Sequence, residues 1–278
     1  MTVLFRAKDI VAACEEAKAA GDPTYSSVFS IATSGRASSS GSAQYLDLTA
    51  RAGGKEGKLV FRFKDEVAVG RIQPLTGGEY NRDPTRTPAL GVQKYCGDAA
   101  APSDYFAAVE CLDAFFQAEV AKRIAAGLFY KKTRDAAPDG TKVKNDSIVR
   151  LYQSTISLAA KENPGGLLAN PITRLPLKFD ESGAPRKGSE YFQRSSAPDD
   201  PPEGRRYVST PLVFDGAPLC ADNCHHIVPG SKLSGVVDLS AACASTMGIS
   251  VPITLKCLFV ELAPPKTFSE ADVFGDED

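Results

Sequence analysis

Along most of this chain apolar and polar positions alternate in short runs, the period-two pattern of strands with one buried face. Residues 58–64 show it most cleanly, with Leu59, Phe61 and Phe63 on one side and Val60, Arg62 and Lys64 on the other. Further strands are predicted over residues 25–33, 45–50, 67–73, 171–179, 207–214 and 233–239. Residues 251–262 form an apolar run rich in β-branched and aromatic side chains, the pattern of a long strand buried in a sheet or barrel. Pro264 and Pro265 stop it, because proline cannot donate to a strand ladder. Glycine-rich turns between the early strands predict a meander that curls into a small barrel, and Gly70 suits a bend at its corner.

Three segments change period. Residues 8–20 place Ile10, Val11 and Cys14 on one helical face, with Gly21 as the stop. Residues 104–126 keep helical spacing through Phe106, Val109, Leu112, Phe116, Val120 and Ile124, with Ser103 as cap and Gly127 as terminator. A second helix is predicted over residues 147–161 from Ile148, Leu151, Thr155 and Leu158. The chain is thus read as a single α+β domain over residues 1–266. It has a β-barrel core, an N-terminal helix and a helical insertion at about 104–161. Residues 267–278 follow as an acidic flexible tail.

Composition refines this. At 278 residues with 43% hydrophobic content, the chain can bury a sizeable core. No stretch reaches the roughly 18 uninterrupted apolar residues of a membrane helix, and the first residues lack a signal-peptide pattern. An intracellular protein with no membrane partner is expected. The formal net charge is −2, but residues 267–278 carry five acidic and no basic residues, leaving 32 basic against 29 acidic elsewhere. A basic groove would therefore come from clustering rather than from the total. Seven cysteines without framework spacing fit free thiols in a reducing compartment.

The candidate chemistry is that of binding. Lys122, Arg123, Lys131, Lys132, Arg134, Lys142, Lys144 and Arg150 crowd one region beside Phe129 and Tyr130. Cations interleaved with aromatics can neutralise phosphates and stack on bases, and a solvated helix face would have the same composition. A long polar segment, residues 180–206, adds Tyr191, Phe192, Arg194, Arg205 and Arg206, with Tyr207 following it. Cys220, Cys224, His225 and His226 lie within seven residues, yet no second ligand cluster completes a zinc site. No phosphate-loop or dinucleotide-binding motif occurs, and both histidines sit in that one segment. No cofactor, no metal and no enzymatic activity is expected.

Four stretches, in order along the chain, carry a resemblance. They are Ser26-Ser27-Val28-Phe29-Ser30, Asn170-Pro171-Ile172-Thr173-Arg174-Leu175, Ser245-Thr246-Met247-Gly248-Ile249-Ser250-Val251-Pro252, and the acidic end Asp272-Val273-Phe274-Gly275-Asp276-Glu277-Asp278. Together they resemble the single-stranded DNA-binding proteins of African swine fever virus and related large nucleocytoplasmic DNA viruses. Loops 34–43 and 180–206 and the Cys220/Cys224 pair depart from that pattern. The resemblance implies an OB-fold-like antiparallel barrel that coats single-stranded DNA, or RNA, independently of sequence during viral DNA replication, repair or recombination. It implies a location at viral replication sites in the host nucleus or cytoplasm, with packaging in the virion and homo-oligomerisation as further options. Candidate contacts are Lys58, Phe61, Arg62, Lys131, Lys132, Arg174, Lys178, Tyr191, Phe192, Arg205, Arg206 and Tyr207. The tail, through Phe274, Asp276, Glu277 and Asp278, would compete with DNA or recruit viral replication proteins. A solvated terminus without a role is the alternative for the tail. For the whole chain the alternative is a virion structural or scaffolding protein that uses the barrel for protein contacts.

Overall fold

The computed structural model describes residues 3–37, 43–69, 88–95, 102–125, 152–153, 156–157, 172–194, 210–245 and 248–263. In chain order these form β1 (Phe5–Arg6), α1 (Ala7–Ala19), β2 (Phe29–Ala37), β3 (Ala43–Ala52), β4 (Lys55–Lys58), β5 (Val60–Val69), β6 (Ala89–Gln93) and α2 (Asp104–Ala125). Next come β7 (Tyr152–Gln153), β8 (Ile156–Ser157), β9 (Ile172–Pro176), β10 (Glu190–Gln193), β11 (Thr210–Pro211), β12 (Val213–Phe214) and β13 (Ala217–Pro218). After a 3₁₀ turn at Cys224–His226 the last described elements are β14 (Lys232–Asp238), β15 (Ala241–Ser245), β16 (Gly248–Ser250) and β17 (Thr254–Glu261).

The larger sheet runs β11-β10-β17-β14-β5-β6-β9-β8, with β1 beside β5, and the smaller runs β2-β3-β15-β16-β7, with β4 beside β3. Most pairs are antiparallel, but β1–β5, β10–β17 and β7–β16 are parallel. Two chain segments, β4 to β5 and β14 to β15, pass from one sheet to the other at a shared corner. There the Leu59 N–H donates to the Leu48 carbonyl (3.1 Å), Leu239 N–H to Leu59 (2.9 Å) and Leu48 N–H to Ser240 (2.8 Å). Among the described residues neither sheet closes on itself. The α+β class stands, built from two sheets joined at a corner.

The core lies between the sheets, under the helices. Phe115 of α2 meets Phe29 at 5.6 Å between ring centroids, and Tyr105 meets Phe63 at 5.1 Å. Ser103 caps α2 as the sequence predicts, its Oγ accepting from the Phe106 N–H at 3.2 Å. The helix predicted over residues 147–161 is not formed in its described part: residues 152–153 and 156–157 are strands. Tyr152 and Gln153 pair with Ile249 and Ser250, while Ile156 and Ser157 pair with Thr173 and Ile172. The apolar spacing there also suits a strand, and two waiting sheet edges decide the outcome.

Two bulges shape the large sheet. Between Leu233 and Gly235, β14 has one residue where β5 has both Lys64 and Asp65, and Asp65 takes φ 59°. The extra residue reverses the parity of β5. Phe61 and Phe63 point inward before it, Glu66 and Ala68 after it, and all four are buried. What the alternation divides into strands 58–64 and 67–73 is therefore one continuous strand from Val60, with Lys58 left in β4. The second bulge, between Val236 and Val237 on β14, leaves Lys256 as the unpaired residue of β17.

Candidate nucleic-acid interface

One face of the large sheet looks into the core; the other is open among the described residues. Register fixes its rows. Phe192, Phe259 and Ser234 lie side by side on β10, β17 and β14, and Glu190, Cys257, Val236 and Arg62 form the adjacent row. Their inward neighbours Tyr191, Leu258, Val237 and Phe61 are buried, whereas Arg62 and Glu190 are exposed and Phe192, Phe259 and Val236 half-buried. The Phe192 and Phe259 rings stack with centroids 5.1 Å apart and planes 27° apart. A stacked aromatic pair on an open sheet face is a surface on which a further planar group can stack.

Charged side chains surround the pair. The Lys232 Nζ lies 3.7 Å from Glu261, and the Lys256 Nζ 3.2 Å from Asp238. Arg194 forms an ion pair with Asp65 and donates to the Ser234 hydroxyl at 3.4 Å. Arg62 makes no ion pair among the described residues. Burial tends to raise the Asp238 carboxyl, but hydrogen bonds from Ser240 and Lys256 outweigh it and hold the group below the usual carboxylate range. At this end Lys178 reaches the face and donates from Nζ to the Thr254 hydroxyl at 3.0 Å. Burial first, then repulsion from Arg186 and Lys256, pulls the Lys178 ammonium below its ordinary value. Three cations so crowded favour the arrival of an anion, which would relieve their repulsion.

The predicted contacts divide accordingly. Arg62, Lys178 and Phe192 share the open face, Phe192 on β10 and Arg62 on β5 with β17 and β14 between them. Arg174 is exposed but further along the sheet on β9, and Lys58 is exposed on the smaller sheet. Two aromatic candidates are corrected. Phe61 is 1% exposed with its ring 6.0 Å from Tyr105, so it is core and has no face for a base. Tyr191 is 5% exposed, and its hydroxyl accepts from the Lys178 N–H at 2.9 Å, so it holds a corner of the fold. Lys131, Lys132, Arg205, Arg206, Tyr207, Phe274, Asp276, Glu277 and Asp278 lie outside the described residues.

Sequence reasoning missed Phe259, Lys256, Lys232 and Arg186 as members of this surface, and it named Arg194 in the 180–206 segment without including it among the candidate contacts. Phe259 is hidden in the run Leu258-Phe259-Val260, where three apolar neighbours erase the alternation. Lys256 faces solvent only because of the bulge. The Cys220–His226 segment forms a separate feature: Cys224 is buried, and the exposed His226 stacks on Phe214 at 5.3 Å. Among the described residues no group of three or more candidate ligands is placed to hold a metal ion. No helix in the described residues is long and apolar enough to cross a membrane.

No protein-family model matches the chain. It is 26% identical to the uncharacterized protein CP312R of a Kenyan pig isolate of African swine fever virus, over 315 aligned positions covering 100% of this chain and 96% of the relative. The counterpart from a Malawian tick isolate is also 26% identical, across 100% of this chain and 94% of the relative. That of the Badajoz strain is 24% identical at the same coverage. From end to end, the chain is similar to a protein of African swine fever virus.

Proposed function

We propose that this protein binds single-stranded nucleic acid without reading its sequence, coating DNA during viral replication, repair or recombination, and that it acts as a binding protein rather than a catalyst. The observation that carries the proposal is the open face of the large sheet. There the Phe192–Phe259 stack lies beside Arg62, Lys232 and Lys256, with the Lys178–Arg186–Lys256 cluster at one end. Aromatic stacking tolerates every base, and cations neutralise the phosphates between them. The corner at Leu48, Leu59 and Leu239, where strands pass between sheets, supports reading the two sheets as an elaborated OB-like barrel. The full-length similarity to a viral protein supports placing this activity at viral replication sites. The acidic residues 267–278 serve as a competitor for the basic face, or as a recruiting segment anchored by Phe274.

The test is fluorescence anisotropy of a labelled single-stranded oligonucleotide at several salt concentrations, with duplex as competitor. Binding that weakens steeply with salt and resists duplex is expected. Phe192→Ala and Phe259→Ala should each weaken it by about 5- to 150-fold, the equivalent of about 1–3 kcal/mol per stacked base. Deleting residues 267–278 should tighten binding at low salt. A second reading, a virion structural protein, is favoured by one observation: Lys232, Lys256 and Arg194 already have carboxylate partners, as a protein-binding surface would. No binding at low salt with the tail removed would sink the first reading and leave the second.

A further inference from the structure

Away from the open face, α1 packs against α2, and the two helices bring Cys14 and Cys111 together. Cys14 is 1% exposed in the core, Cys111 is half-buried, and the thiols are within hydrogen-bonding reach of each other. Tyr25 completes the group, its hydroxyl reaching Cys111. Its backbone is unusual, a non-glycine residue at φ 56°. The conformation is imposed by the turn around it. Val28 and Phe29 donate their N–H groups to the Tyr25 carbonyl at 3.0 and 2.9 Å, and the Asp22 carboxylate gathers Thr24, Ser26 and Ser27. Strain of this kind persists only where the surroundings over-determine it.

The two sulfurs are unequal. Hydrogen bonds from the Cys14 thiol, then from the Tyr25 hydroxyl, hold the Cys111 thiol below its usual range, against burial and the nearby Glu110 and Glu15 carboxylates. Its hydrogen bond to Cys111, then burial, drives Cys14 the other way. A more accessible, thiolate-leaning cysteine beside a sheltered partner is the arrangement of an attacking and a resolving thiol. At Cys224 and Cys257 the shift runs upward instead. The Cys224 thiol donates to the Ala221 carbonyl at 3.3 Å and is pushed up to about 11 by burial, and burial also pushes Cys257 up.

We propose that Cys14 and Cys111 form an oxidation site at which hydrogen peroxide converts the pair into a disulfide tying α1 to α2. The Cys111 sulfur attacks one peroxide oxygen; the O–O bond breaks, and the departing oxygen takes a proton to leave as water. The resulting sulfenic acid is attacked by the Cys14 sulfur, the S–O bond breaks, and a second water leaves with the Cys14 proton. Two thiols and one peroxide thus become one disulfide and two waters, with sulfur oxidised and oxygen reduced.

The experiment treats the folded, full-length protein with substoichiometric hydrogen peroxide, blocks free thiols, and maps peptides without reduction. The expected first disulfide joins the Cys14 and Cys111 peptides and is released by dithiothreitol. In Cys14→Ser the disulfide is lost and Cys111 is instead captured by dimedone as a sulfenic acid; in Cys111→Ser that capture disappears. Because the wild-type map stands without either variant, a folding defect in a variant leaves the test intact. A first disulfide between any other cysteines, or a Cys111 that stays fully alkylatable while other thiols oxidise, would overturn the proposal.

Discussion

Replacing Glu66 with glutamine isolates the cost of a buried charge from everything else that titrates in this protein. The bulge at Lys64 and Asp65 turns Glu66 inward, where it is 1% exposed and its Oε2 has no hydrogen-bond partner. Burial pushes its carboxyl up to about 7. Hydrogen bonds from Ser103 and the Tyr105 N–H oppose the rise, and the nearby Asp104 and Asp65 add to it. The ordinary value is 4.5, so between there and about 7 the unfolded chain has released a proton that the folded chain retains. Stability from this group is therefore greatest below the lower value and is lost as pH rises through the upper one. At about 1.4 kcal/mol per pH unit, the loss is about 3 kcal/mol. Glutamine has no such proton. Urea melts of wild type and Glu66→Gln at about pH 5 and about pH 8 should differ in their pH response by about 3 kcal/mol, the variant gaining relative to wild type at the higher pH. Any fixed penalty from an unmatched amide N–H cancels in that comparison. Parallel pH profiles for the two proteins would refute the reasoning.

Further outcomes follow from packing and turn chemistry. At Gly235 an added β-carbon would collide with the Cys257 carbonyl oxygen and come within 3.1 Å of the Phe63 ring. Gly235→Ala should cost about 1–3 kcal/mol, read as a lowered melting temperature, and an unchanged one would count against the packing. The Asp22 carboxylate accepts from the Ser27 N–H at 2.8 Å and from the Thr24 and Ser27 hydroxyls at 2.8 and 2.9 Å. These hydrogen bonds, that of the Ser27 N–H foremost, hold it well below the usual carboxylate range. Asp22→Ala should cost about 1–2 kcal/mol at neutral pH. The gap to wild type should close as pH falls, since a depressed carboxylate stabilises only above its unfolded value. A gap that persists in acid would show that packing, not charge, holds the turn.

What could be read from the sequence was whatever depends on local period. Both described helices fall within a residue or so of their predicted bounds, because Ile10 and Cys14, or Phe106, Val109, Leu112 and Phe116, can share a face only on a helix. Strands with one wet face were equally plain, as at Phe61 and Phe63 in β5. Alternation says which side chains share a face, not which face is buried, and Phe61 lies inward. Whatever depends on a partner strand was hidden. Residues 152–153 and 156–157 become strands because edges elsewhere accept them. Glu66 is buried and Lys256 exposed because bulges on paired strands shift their parity. Phe259 joins Phe192 only through a parallel pairing between segments far apart in the chain.

The position of β17 has a consequence for the chain as it is made. The last described strand lies between β10 and β14, inside the large sheet rather than at its edge. On a ribosome adding about 5–20 residues per second, roughly 10–40 s separate the emergence of β5 from that of β17. Through that interval β10 has no neighbour on its β17 side, and β14 can pair only with β5. A nascent chain stalled or cut before residue 254 would thus present two open strand edges, the form in which chains of this kind add to one another. Emergence of β17 and completion of the sheet are one event, and a product terminated before residue 254 would go to proteases or aggregates rather than persist as a shortened fold.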